Sequence, residues 1–312
     1  MLLKRKGLTK TMSPNTKEKK RAIGVSQWNI AWRRFRKNKA ALAGAFIIGF
    51  VIFLGIFDAL VAPYSPNESP GFYVGETRVP PSLKYLFGTD AVGHDVFSQV
   101  VYGARSALYV GFGAAAIAMS LAVLVGLVSG YYGGIIDNVL MRITEIFLVI
   151  PFLLILLVFL KVITAVAPSG VGGLSMVTLM IGIFSWAGNA RIIRGEVLRV
   201  KESEFIEASK SLGATTRRIV FKHIFPNVLH LVIVLTTLMI ANAILTEAAV
   251  SFLGFGDANS ITWGQLLQRA NEAVKEAWWE GVFPGLFITL LVLGFNLLGN
   301  GLRDALDPRL RE

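Results

Sequence analysis

Six stretches of this sequence run without a single Asp, Glu, Lys or Arg: Ala40 to Phe57, Ser106 to Ile136, Ile146 to Leu160, Val162 to Ala190, Ile224 to Thr246 and Gly281 to Leu302. A bilayer core takes such runs in helical form, about 20 apolar residues rising about 1.5 Å each across roughly 30 Å of hydrocarbon. Five of the six are long enough alone, and Ile146 to Leu160 spans only if the Met141 to Glu145 turn counts with it. Composition agrees: 54% of the 312 residues are hydrophobic, only 16% are charged, and the mean hydropathy is +0.60, outside the range of soluble domains. The expected fold class is an all-α integral membrane protein with about six transmembrane helices.

Charge orients those helices. Thirteen Lys or Arg residues and one acid, Glu18, precede Ala40. Eight more lie between Ala190 and Ile224, and Arg142, Arg303, Arg309 and Arg311 fall on the same side, which gathers 25 of the 31 basic residues there. The opposite side keeps Arg78, Lys84, Arg105, Lys161, Arg269 and Lys275. The positive-inside rule then places both termini in the cytoplasm of a multi-pass cell-membrane protein. The net charge of +11 reads as a topology signal for a lipid partner rather than as a nucleic-acid footprint. The N-terminus does not read as a cleavable signal, because its basic region is too long and no small-residue cleavage site follows Ala62. Cys is absent, which excludes disulfides and thiolate metal sites.

Two outer loops follow. Pro63 to Arg105 is turn-rich and ends in FGTDAVGHDVFSQVVYGARSAL, where Asp95 is expected to cap a short helix with Val96, Phe97, Val100 and Val101 as its apolar stripe. Ser251 to Glu280 carries Trp263, Trp278 and Trp279, and the last pair suits a membrane–water boundary.

One charged interruption stands between apolar runs: residues 207 to 227, EASKSLGATTRRIVFKHIFPN. Phe205, Ala208, Ser209 and Leu212 share one narrow helical face, with Glu202, Glu207, Lys210 and Ser211 off it. Gly213 takes the left-handed C-cap position. Thr215 or Thr216 can cap a second short helix with Arg217, Arg218 and Lys222 outside and Ile219, Val220 and Ile224 inside. Pro226 fits the first turn of the next span. On physics alone the pair is equally an interfacial helix on anionic lipid.

The spacing of Glu207-Ala208, Gly213 and Pro226 resembles the EAA loop of ABC-importer permeases, with Ser209, His223 and Phe225 where that family usually has Ala, Ile and Leu. WRRFRKNKAALAGAFI, FGTDAVGHDVFSQVVYGARSAL, TEAAVSFLGFG with Trp263-Gly264, and FPGLFITLLVLGFNLLGNGLRDALDPRLR are similar to the C-type permease subunit of dipeptide, oligopeptide and nickel importers. The likeness covers roughly residues 28 to 310. It departs at Asn300, where an Asp is common, and in a loop before Trp263 that lacks prolines. The resemblance implies a type I ABC importer permease fold. Residues 1–39 would form a basic cytoplasmic segment, 40–63 the first transmembrane helix and 64–105 an external loop. Five further helices would fill 106–302, with a cytoplasmic coupling loop at 191–227 and a tail at 303–312. It implies that Glu207, Ala208, Ser209, Leu212, Gly213, Arg217 and Arg218 meet an ATPase. The implied partners are a homologous second permease, two ATPase subunits and an extracytoplasmic substrate-binding protein, with di- or oligopeptide as cargo and nickel or oligosaccharide as alternatives.

Other chemistry is thin. No G-x-x-x-x-G-K-[ST] loop or H-E-x-x-H occurs and the three histidines do not cluster, so no catalytic site, cofactor or metal is expected. Asp90 and Asp95 suit turn and cap duty. Asp58 and Glu247 are expected at solvated helix ends, and Arg142 with Glu145 as an i, i+3 pair. Asn189, Asn242, Thr246 and Asn296 are polar within spans and suit either a pathway or interhelical bonds. Gly111, Gly113, Gly126 and Gly130 suit close packing. An ion-coupled transporter would want paired mid-membrane acids or repeats, and neither is evident. A scaffold without transport has no need of the EAA geometry.

Overall fold

Asn38 marks where the chain enters its first span. In the computed structural model, which describes residues 27–66, 68–166 and 173–306, helix α1 (Gln27–Lys37) stops there and α2 (Lys39–Ile56) begins. The Asn38 side chain accepts from the Ala41 N–H at 3.1 Å, satisfying one of the unpaired donors of the new helix. The basic residues before Gln27, with Arg309 and Arg311, lie outside the described residues. After a break at Phe57 comes the single turn α3 (Asp58–Val61), then a looped segment with one 3-10 turn at Phe72–Val74. The next helices are α4 (Val96–Tyr132), α5 (Gly134–Val149), α6 (Phe152–Val166), α7 (Gly173–Phe184) and α8 (Ala187–Lys201). The short α9 (Glu204–Ser211) and α10 (Thr216–Arg218) precede α11 (Phe225–Phe252), α12 (Trp263–Ala270) and α13 (Trp279–Leu306).

Four spans are single helices: α2, α4, the run from Thr216 to Phe252, and α13. Two more are broken. α5 and α6 meet at 85° and α7 and α8 at 42°, so the count is six when each bent pair is one span. The uncharged windows carry no sign of these bends. Pro151 explains the first bend: it has no N–H to donate, and it holds Ile150 in an extended conformation at φ −77° and ψ 130°. The window Val162 to Ala190 is divided between three helices, and its residues 167–172 lie outside the described ones. The helix capped by Asp95 is not short. It runs 37 residues, with the cap made by the Ser98 N–H on Asp95 Oδ2 at 2.8 Å.

α4 is the axis of the bundle, against α8, α11, α7 and α2. Lipid supplies little hydrophobic drive between helices, so small residues that let backbones close are what joins them. A Cβ on Gly111 would meet Ile244 at 2.9 Å, on Gly113 Thr178 at 2.7 Å, on Gly126 Ile193 at 2.7 Å and on Gly130 Val197 at 2.8 Å. Ala114, Ala118 and Ala122 between them are fully buried. On the outer flank, Gly44 of α2 packs on the α13 backbone, where a Cβ would meet Gly294 O at 2.6 Å.

The end of the bundle nearest Val96 is closed by the loop before α4 and by α12. Trp263 donates from Nε1 to Val100 O at 2.8 Å, and Trp279 to Thr89 O at 3.1 Å. Phe87 stacks on Phe283 at 3.9 Å. Trp279 is thus a buried clasp rather than a boundary residue, while Trp278 is half exposed. Asp58 and Glu247 are likewise not solvated, at 5% and 2% exposure. Asp58 accepts from the Ala59 N–H at 2.7 Å and faces Arg105 at 3.5 Å. Glu247 accepts from Ser251 Oγ at 2.5 Å. The cover over Glu247 comes from α12, whose Gly264 approaches so closely that a Cβ would meet Ala248 Cα at 2.8 Å.

Candidate functional site

At the other end of the bundle the chain leaves α8 and turns into α9. The end of α9 is a Schellman arrangement: Gly213 N–H donates to Lys210 O at 2.9 Å and Ala214 N–H to Ser209 O at 3.1 Å, with Gly213 at φ +78°. Thr215 caps the following turn, its side chain accepting from the Arg218 N–H. The second helix is not separate, however. α10 continues through a wide π turn, Ile219–Ile224, into α11. The sequence supplies the reason in Pro226, which cannot donate and crowds the preceding turn; widening the helix just before it relieves that crowding.

Ile206 fixes α9. It is fully buried, while Phe205 is 46% and Leu212 88% exposed. Glu207, Ala208, Gly213, Arg217 and Arg218 are exposed and Ser209 half-buried. Phe205, Ala208 and Leu212 of the stripe therefore face away from the bundle, while Ile206 on the flank is buried where α9 rests on α8 and the π turn. Tyr131, near the end of α4, brackets the whole segment. Lys201 Nζ lies 5.7 Å over its ring and its hydroxyl reaches Thr216 Oγ1 at 3.4 Å. Further into the bundle, Arg194 of α8 grips Asp137 of α5 with two bonds, at 2.6 and 2.5 Å. Such planar, bidentate pairing fixes orientation as well as distance.

None of Ile206, Tyr131 or the Asp137–Arg194 pair was singled out from sequence. Asp137 did leave a signal, as an acid next to an uncharged run, whereas Ile206 left none that sets it apart. Tyr131 left none. Arg142 and Glu145 pair as expected, at 3.0 Å.

The polar positions within spans form a looser set. Asn189 of α8, half-buried, points Nδ2 at Met239 Sδ of α11 at 3.8 Å. Asn242 and Thr246 follow at one-turn intervals along α11, with Thr246 Oγ1 donating to Asn242 O at 2.8 Å. Asn296 is half-buried on α13. At the opposite end Asp90 accepts from the Val92 and His94 N–H groups at 2.9 and 2.8 Å and faces His94 Nδ1 at 2.9 Å. Burial alone would raise its carboxyl, but the bonds from His94 and Val92 hold it below the usual carboxylate range. This is turn duty. Among the described residues no cluster of His, Cys, Asp and Glu could hold a metal.

Residues 122–312 match the binding-protein-dependent transport system inner membrane component, and residues 26–81 match the N-terminal transmembrane domain of oligopeptide transport permease C. The chain belongs to this permease family. The permease is 40% identical to the dipeptide transport system permease protein DppC of Bacillus subtilis (strain 168), over 90% of this chain and 86% of that one. It is 37% identical to the oligopeptide transport system permease protein OppC of the same organism, over 92% of each chain. A chain from inward facing conformations of the MetNI methionine ABC transporter shares the fold, with a TM-score of 0.54 at 22% identity over 67% of this permease and 97% of that chain. This protein is thus a multi-pass inner membrane permease subunit of a binding-protein-dependent ABC importer, with the type I permease fold.

Proposed function

We propose that this permease imports di- or oligopeptides released by an extracytoplasmic binding protein, and that two ATPase subunits drive it through α9. The observation that carries the coupling reading is the two-sidedness of α9. One side is pinned by Ile206, while the other presents Phe205, Ala208 and Leu212 bare, rimmed by Glu207, Arg217 and Arg218. Apolar surface at the water-facing end of a membrane bundle is a surface for a partner. Because only Glu202 and Ser203 separate α8 from α9 and α10 runs on through the π turn into α11, a push on α9 is delivered to two spans at once. A two-state packing of the bundle, biased by nucleotide closure in the partners, follows the general logic of such switches.

The second permease, homologous to this one, completes the path. Asn189, Asn242, Thr246 and Asn296 supply the polar groups for it from α8, α11 and α13. Peptide cargo is supported by the dipeptide and oligopeptide names of relatives aligned over nearly the whole chain.

The test uses Leu212→Cys in this Cys-free chain, assembled with its partners in proteoliposomes. Adding the ATPase subunits should shield this thiol from a water-soluble maleimide, and labelled dipeptide uptake should be competed by peptides and not by nickel or maltooligosaccharides. A thiol equally reactive with and without the ATPases sinks the coupling reading. Competition by nickel or oligosaccharide alone sinks the peptide reading.

A further inference from the structure

Helix α1 has no part in the reading above, yet the architecture holds it in one place. A single residue, Asn38, separates it from α2. The 18 residues of α2 extend about 27 Å, close to the thickness of the hydrocarbon layer. Lys39 therefore stands at the edge of that layer, and α1 is held at headgroup level, where it also packs on α13.

On α1, Arg33, Arg36 and Lys37 follow the i, i+3, i+4 spacing of one helical face, and all three are exposed together with Lys39. Trp32 and Phe35 occupy the adjoining arc with rings stacked at 5.9 Å, and Trp32 is 59% exposed. No acid occurs between Glu18 and Asp58, so no local side chain neutralises this face in sequence. Aromatic rings at the apolar boundary, with cationic heads on long stems reaching above them, match the cross-section of an anionic leaflet.

We propose that α1 binds anionic phospholipid headgroups through Arg33, Arg36, Lys37 and Lys39, with Trp32 seated among the acyl chains below them. Charge complementarity and the one-residue link to a span favour lipid over a soluble partner, and the proposal stands independently of cargo and of α9. Each basic residue near an anionic surface adds to the attraction, and the whole is screened by salt.

The experiment labels Ala40→Cys of the full chain with an environment-sensitive fluorophore in phosphatidylcholine mixed micelles and titrates phosphatidylglycerol. Emission should shift to saturation, with a midpoint that rises with salt. Replacing Arg33, Arg36, Lys37 and Lys39 by Gln, a good helix former, should raise the midpoint on the order of tenfold or more. Arg33→Lys with Arg36→Lys should leave it in place. An unchanged midpoint in the Gln variant overturns the proposal, as does an equal response to added phosphatidylcholine. So does a shift that appears only when ATPase subunits are added without phosphatidylglycerol, which would assign the face to a protein.

Discussion

Gly213 holds a left-handed backbone with no heavy atom within 4 Å of where a Cβ would stand. A side chain there meets no clash, only the conformational penalty of about 1–2 kcal/mol for a left-handed L-residue. Gly213→Val should therefore leave membrane insertion intact while disturbing the end of α9, and uptake should fall. Uptake equal to the parent at matched expression would mean that this turn is not needed. Ile206 and Gly213 are complementary, one fixing where α9 lies and the other where it stops. Gly213 was legible because its position after a periodic helix has one common explanation. Ile206 was not, because one aliphatic residue in a charged helix looks like any other until its neighbours across the fold are known. Glu247 failed for a related reason: a carboxylate near a helix end reads as solvated unless α12 is known to cover it.

At the scale of elements, the α4–α8 contact rests on Gly126 and Gly130. A Cβ on Gly126 meets Ile193 at 2.7 Å and Ala190 O at 3.0 Å, and the second of these is backbone that cannot swing away. Gly126→Leu should push the helices apart and destabilise the bundle by about 1–3 kcal/mol, read as a lower thermal midpoint of the purified chain. An unchanged midpoint would show that α4 and α8 do not pack through this glycine. The small-residue pattern of α4 and the apolar windows were both legible, because length and residue size decide them. The bends were not. Hydropathy measures how much oil a stretch tolerates and is blind to Pro151 redirecting the chain by 85°. The same blindness hid that the helix expected after Asp95 and the span from Ser106 are one, α4, because Arg105 closes the uncharged window between them. Nor does periodicity register that α10 and α11 are one helix through a π turn, since a single extra residue per turn is lost in so short a segment.

For the whole molecule, we propose from the charge asymmetry of the sequence that α9 and both termini lie on the cytoplasmic side. Lys210→Cys should react with a membrane-impermeant thiol reagent in inside-out vesicles and not in intact cells, and labelling from outside would invert the topology. The larger claim is that α9, carried between α8 and α11, is where ATPase work enters the bundle. Glu207 lies at its rim next to Ala208, whose small side chain lets a partner approach. An interfacial charge left unpaired by truncation of its partner costs about 2–5 kcal/mol, and a large side chain at Ala208 would hold the partner off by bulk alone. The most direct measurement is ATP hydrolysis and peptide uptake, side by side, in proteoliposomes of the full complex carrying Glu207→Ala or Ala208→Trp. Loss of ATPase association, or hydrolysis that no longer drives uptake, with peptide capture by the binding protein unchanged, is the predicted result. Complexes of both variants that assemble, hydrolyse ATP under substrate control and transport at the parent rate would contradict it.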